Sequence, residues 1–108
     1  MPLRDEISEL LRLPENGAGA PSLDAIESTL TDGYAAKLAL EAERSRIERR
    51  LGEVVRDAGD VSAHSVVAEL AELSERRDSA ETELAGLRSL LRNLQGVRSR
   101  RRAAAALR

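Results

Sequence analysis

The residues here with most capacity for chemistry are cations. Lys37, Arg44 and Arg77 stand where the surrounding spacing is apolar, and Arg88, Arg92, Arg98, Arg100, Arg101, Arg102 and Arg108 crowd the C-terminal end. A guanidinium offers a planar fork of donors that fits phosphate or carboxylate. Lys37, Arg44 and Arg77 could therefore line an anion pocket between helices, taking a phosphorylated ligand or a partner's carboxylate. Arg92, Arg98, Arg100, Arg101 and Arg102 could form a basic contact end for nucleic acid, an acidic protein or an anionic membrane surface. Single-strand readers add stacking rings, yet the chain has one Tyr and neither Phe nor Trp. Base readout is not expected. The plainer reading has the long stems turn outward and pair one helical turn on, Lys37 with Glu41, Arg44 with Glu48 and Arg77 with Glu81, leaving polar layers that fix helix register.

Catalytic constellations are not evident. Cysteine is absent, which removes thiolate nucleophiles, thiolate metal sites and disulfides. His64 stands near Ser62 and Ser65 at the start of an expected helix, where the dipole disfavours its charged form. Tyr34 is read as a packing residue. Pairs such as Glu41 with Glu43 and Glu69 with Glu72 read as solvated helix faces. No Glu-x-x-His pair, phosphate loop, zinc spacing or nucleophile elbow occurs. No catalytic residue, cofactor or metal is expected, and the chain reads as non-enzymatic.

The elements that position these residues follow from composition and spacing. Of the 108 residues, 33% are charged and 42% apolar, and with so few aromatics the apolar burden falls on Leu, Val, Ile and Ala. That composition suits an all-α coiled coil. Leu3, Ile7, Leu10 and Leu11 recur at helical spacing, predicting a short amphipathic helix over 1–13. Residues 14–21, PENGAGAP, read as a flexible linker. Ser22 can cap a helix over 22–57 whose stripe is Leu23, Ile26, Leu30, Gly33, Lys37, Leu40, Arg44, Ile47, Leu51 and Val54. Ala58, Gly59 and Asp60 break the pattern, with Gly59 suited to a left-handed cap and Asp60 or Ser62 to the next N-cap. A helix over 63–107 carries Val66, Leu70, Leu73, Arg77, Ala80, Leu84, Leu87, Leu91 and Leu94.

Folding the chain in the turn over 58–62 pairs the stripes at constant summed number: Leu51 with Leu70, Ile47 with Leu73, Leu40 with Ala80, Leu30 with Leu91, Ile26 with Leu94 and Leu23 with Val97. The expected architecture is an antiparallel two-helix coiled-coil hairpin after a short N-terminal helix. Gly33 should face Leu87, leaving room for Tyr34 to lie over Leu87 and Leu90.

Two helices alone rarely bury their stripes fully, so a further partner is expected. Ala35, Leu38 and Ala42 form a second, narrow stripe, with Val67, Ala71 and Ala85 similarly placed on the last helix. These predict a homodimer forming a helical bundle, with Ala35, Leu38 and Ala42 as its face. Charge is uneven: residues 1–80 hold 10 basic and 17 acidic groups, whereas 81–108 hold 7 Arg against Glu81 and Glu83. Residues 98–108 should extend past the start of the second helix, and the N-terminal helix could fold over them, its Asp5, Glu6 and Glu9 meeting those arginines.

No export signal or membrane span is visible, so a cytoplasmic location is expected, and the Ala, Arg and Leu bias suggests a GC-rich bacterial source. In size and hairpin form the chain is similar to the secreted WXG-type hairpins, although its bend reads Ala58, Gly59, Asp60 without the Trp. Glu41 and Ser45 resemble the first step of the ligand ladder in actinobacterial anti-sigma hairpins that bind cyclic di-GMP; Glu48, Gly52 and Arg56 then depart from it. Neither resemblance transfers a function. The reading reached is a protein-protein interaction module, an adaptor, scaffold or regulator of unidentified partner, with a nucleic-acid or phosphorylated-ligand binding module as the alternative.

Overall fold

The computed structural model describes residues 2–60 and 62–107, without the side chain of residue 60. Three α-helices account for most of it: α1 (Pro2–Arg12), α2 (Leu23–Arg56) and α3 (Ala63–Ala106), with a 3-10 turn at Ala58–Asp60 between α2 and α3. Pro2 suits the first turn of α1, where its missing N–H costs nothing. Asp5 lies in that first turn and Arg12 in the last, each complementing the helix dipole. The helix closes at Arg12, one residue before the expected Leu13, whose N–H reaches back to the Leu10 carbonyl at 3.3 Å.

Both long helices begin on a serine cap. The Ala25 N–H donates to Ser22 Oγ at 3.0 Å, and the Ser65 N–H donates to Ser62 Oγ at 3.2 Å, each satisfying a donor that lacks an intrahelical partner. Ser62 thus serves as the α3 cap, while the Asp60 side chain lies outside the described residues. Gly59 does not adopt the left-handed conformation expected of it. The positive-φ glycines are Gly17 (φ 82) and Gly19 (φ 86), both in the linker. The cause is local: α2 runs on into the tighter 3-10 turn, which stays right-handed.

α2 and α3 pack as a hairpin. Every residue of the two expected stripes is buried or half-buried, Lys37, Arg44 and Arg77 included. Their contacts divide the chain into two compact units, Met1–Lys37 with Gly86–Arg108, and Leu38–Ala85. In the second unit Ile47, Val54 and Leu73 form a buried cluster, with Leu51, Val66 and Leu70 packed against it. Arg50 spans the two helices there, donating to Glu69 Oε1 from Nε at 3.0 Å and Nη2 at 2.8 Å, and to Glu53 of its own helix at 3.3 Å.

The first unit holds three helices. Ile26, Leu30, Leu87, Leu91 and Leu94 are buried at its centre, and Ile7 of α1 is 0% exposed among them. Gly33 makes the space. A Cβ there would collide with Leu91 Cδ2, and Ile7 Cδ1 lies 3.7 Å from the same point. Gly86 of α3 acts similarly, because the Arg4 guanidinium lies across it, with Cζ 2.7 Å from where a Cβ would stand. Ser8 lines one groove with Ser89 and Leu90, so α1 runs parallel to α3.

This corrects the expectation for Tyr34. The space at Gly33 is taken by Leu91 and by α1, and Tyr34 turns outward, its hydroxyl 3.5 Å from Gln95 Oε1. An aliphatic side chain from a third helix loses no hydroxyl hydration on burial, whereas the phenol would need a buried partner.

Candidate functional site

The arginine end is held by the chain's own acids. Arg98 and Arg102 both donate to Glu27 Oε1, Arg98 from Nε at 3.4 Å and Arg102 from Nε at 3.0 Å and Nη2 at 2.6 Å. Arg100 Nε reaches both carboxylate oxygens of Glu15 at 3.0 Å, with Nη2 also on Oε1. Arg101 Nη1 donates to the Pro21 carbonyl at 2.6 Å. Helix α2 supplies Glu27 because residues near 94–98 of an antiparallel α3 are level with its first turns. The linker supplies Glu15 because the left-handed Gly17 and Gly19 turn it back, with the Ala20 N–H on the Gly17 carbonyl at 3.2 Å.

These contacts shift titration. Hydrogen bonding from Arg102, then the charges of Arg102 and Arg98, holds the Glu27 carboxyl below the usual Glu value despite some desolvation. Arg100 does the same to Glu15, aided by Arg101, and is itself raised by Glu15.

The partners differ from those expected. Among the described residues Asp5, Glu6 and Glu9 do not hold these arginines; Glu9 instead pairs with Arg12, one turn along α1, at 3.2 Å. The reason is placement, since Ile7 seats α1 at Gly33 and Leu91 while the linker reaches the arginines. Between the linker and the end of α3 lies a cavity of about 460 Å³ with Asn16, Ser22 and Arg101 among its polar lining residues. Arg92 is exposed on α3, and Arg108 lies outside the described residues.

Lys37 is half-buried, with Nζ 5.9 Å from the centroid of the Tyr34 ring, within the range of a cation–π contact. In the second unit Arg44 and Arg77 are half-buried, and Arg77 Nε stands 3.8 Å from Asp78 Oδ1. A groove of about 380 Å³ in that unit is lined by Glu43, Glu72, Glu75, Glu83 and Arg76 among others, and by neither Arg44 nor Arg77. Its acidic rim repels anions. His64 is exposed in the first turn of α3. Among the described residues no group of three or more His, Asp or Glu is placed to hold a metal ion.

The residues expected to form a dimer face lie on α2, Ala35 in the first unit and Leu38 and Ala42 in the second. Ala35, Leu38 and Ala42 are all exposed, Leu38 at 65%. Val67 is 65% exposed on α3, with Ala71 and Ala85 also exposed. Val55 at the end of α2 is also exposed, at 62%, and was not singled out in the sequence. Its signal was the Val54–Val55 pair, since a seam needs only one of two adjacent residues. Glu15 was missed too, and an acid in a glycine-rich linker carries no comparable signal. The chain matches no family model, no curated protein and no solved structure.

Proposed function

We propose that this chain is a non-enzymatic protein-protein interaction module, a helical hairpin that self-associates and serves as an adaptor, scaffold or regulator. One observation carries the reading: Leu38, a large aliphatic residue, stands 65% exposed on α2 between exposed Ala35 and Ala42. Single exposed hydrophobics are common, but small residues on either side of a leucine let a second helix approach closely, the geometry of bundle packing. Two copies related by a two-fold axis would each present the same stripe, burying Leu38 against its counterpart. Among the described residues no helix is long and apolar enough to cross a membrane, so a bilayer-spanning segment does not account for that exposure.

The alternative, a nucleic-acid or phosphorylated-ligand module, draws less support. Arg98, Arg100 and Arg102 already donate to Glu27 and Glu15, and those carboxylates offset part of the positive charge that a phosphate would meet.

Light scattering on the full chain tests the reading. The expected mass at tens of micromolar is twice the 11.7 kDa of one chain, falling to one chain in Leu38→Asp with helicity retained. A single-chain mass for the parent protein would overturn the proposal.

A further inference from the structure

The seat of α1 supports an inference that does not depend on the Leu38 stripe. Within the first unit the seat consists of Gly33 on α2 and Gly86, Leu90 and Leu91 on α3, filled by Ile7 and crossed by Arg4. An isolated helix of 11 residues is marginal in water, so α1 depends on this seat for its order. The seat makes no demand on which copy supplies the helix, because its contacts are the same in either case. Only the linker favours the chain's own α1, by holding it at an effective concentration on the order of millimolar.

The linker's reversal rests on Gly17 and Gly19, whose φ values of +82° and +86° suit glycine and disfavour other residues. Nothing lies within 4 Å of a Cβ placed on either one. A side chain at those positions would disturb the reversal through backbone conformation alone. Glu15 precedes this hinge, so it would travel with α1 and could remake its pairing with Arg100 of a second copy. Arg98 and Arg102 on Glu27, and Arg101 on Pro21, follow the hinge and would stay within one chain.

We propose that the Gly33, Gly86 and Leu91 groove is an exchange site that accepts α1 of a second copy of this chain, with Gly17 and Gly19 as the hinge that normally keeps the helix at home.

The test uses the full, naturally cysteine-free chain. One sample carries Ser8→Cys and the other Ser89→Cys, both with Leu38→Asp to remove contact through the α2 stripe. They are mixed after joint unfolding and refolding, then treated with a short bis-maleimide. Covalent dimer is expected at roughly millimolar protein, where the two copies compete evenly with the linker. With Gly17→Val and Gly19→Val added, each valine should weaken docking within the chain about tenfold. The same yield should then appear at roughly hundredfold lower protein. Adding Ile7→Asp to the Ser8→Cys copy should abolish the product. Absence of covalent dimer in the valine mixture would overturn the proposal, as would a dimer that survives Ile7→Asp and therefore reflects proximity without use of the seat. Neither result bears on the Leu38 stripe, whose test is the mass of the parent chain.

Discussion

Ile7→Ala should release α1 while leaving the second unit intact. Ile7 is 0% exposed, and the other apolar residues of α1, Leu3, Leu10 and Leu11, are only half-buried. Truncation removes three carbons, and at about 0.8 kcal/mol for each buried methylene the transfer loss is about 2.4 kcal/mol. Incomplete collapse around Gly33 would raise it within the range of about 2–5 kcal/mol seen for buried Ile-to-Ala changes. Because α1 has little stability of its own, that loss falls on docking. At 1.4 kcal/mol per tenfold, the undocked population rises about 50-fold. Amide hydrogen exchange reads this directly: protection of α1 amides should fall by that factor, while amides around Ile47 and Leu73 keep theirs. Unchanged α1 protection would refute the seating of Ile7. An equal loss around Ile47 and Leu73 would refute the claim that docking is a local event.

Gly33→Ala should press its Cβ on buried Leu91, at about 1–3 kcal/mol, against about 1 kcal/mol gained by replacing a mid-helix glycine; thermal unfolding should show a modestly lower midpoint, and a raised one would contradict the packing. Ser22→Ala removes the α2 cap and should cost about 1 kcal/mol in denaturant unfolding. For Glu15 and Glu27 the folded pKa is depressed, so their contribution to stability is full above the ordinary Glu value and is lost as pH falls through the lower, folded value. Carboxyl carbon shifts followed by NMR should place both midpoints below that of a free Glu, and values at or above it would count against the ion pairs. Arg100→Ala should bring the Glu15 midpoint back toward the ordinary value and leave that of Glu27 nearly unmoved.

The hairpin was legible because a two-helix seam leaves a strong mark: mostly Leu, Ile and Val at alternating steps of three and four, interrupted at the bend by Ala58, Gly59 and Asp60. The Ser22 cap was legible as well, and the α3 cap was narrowed to Asp60 or Ser62, of which Ser62 is the one used, whereas the left-handed cap expected at Gly59 does not form. The docking of α1 was not. A glycine in a seam says that something approaches closely, but Tyr34 beside Gly33 and Ile7 far off in sequence answer that equally well. Gly33 and Gly86 together, one on each long helix, were the available clue to a third element. The partners of the arginines were hidden for a different reason. Charge alone made Asp5, Glu6 and Glu9 suitable for Arg98 to Arg102, and only the left-handed turn at Gly17 and Gly19 brings Glu15 there instead. Exposure at Leu38 agreed with its place away from the seam, and with Val54 assigned to the stripe the exposure of Val55 could have been read from the sequence too.

Self-association through α2 is tested most directly by an isotope-filtered NOE experiment on an equimolar mixture of carbon-13-labelled and unlabelled chains, refolded together. Cross-peaks between copies from the Leu38 methyls, accompanied by those of Ala35 and Ala42, are the predicted result. Silence from Leu38 across copies, in a sample concentrated enough for the seam methyls of Ile47 and Leu73 to give strong signals within one chain, would contradict it.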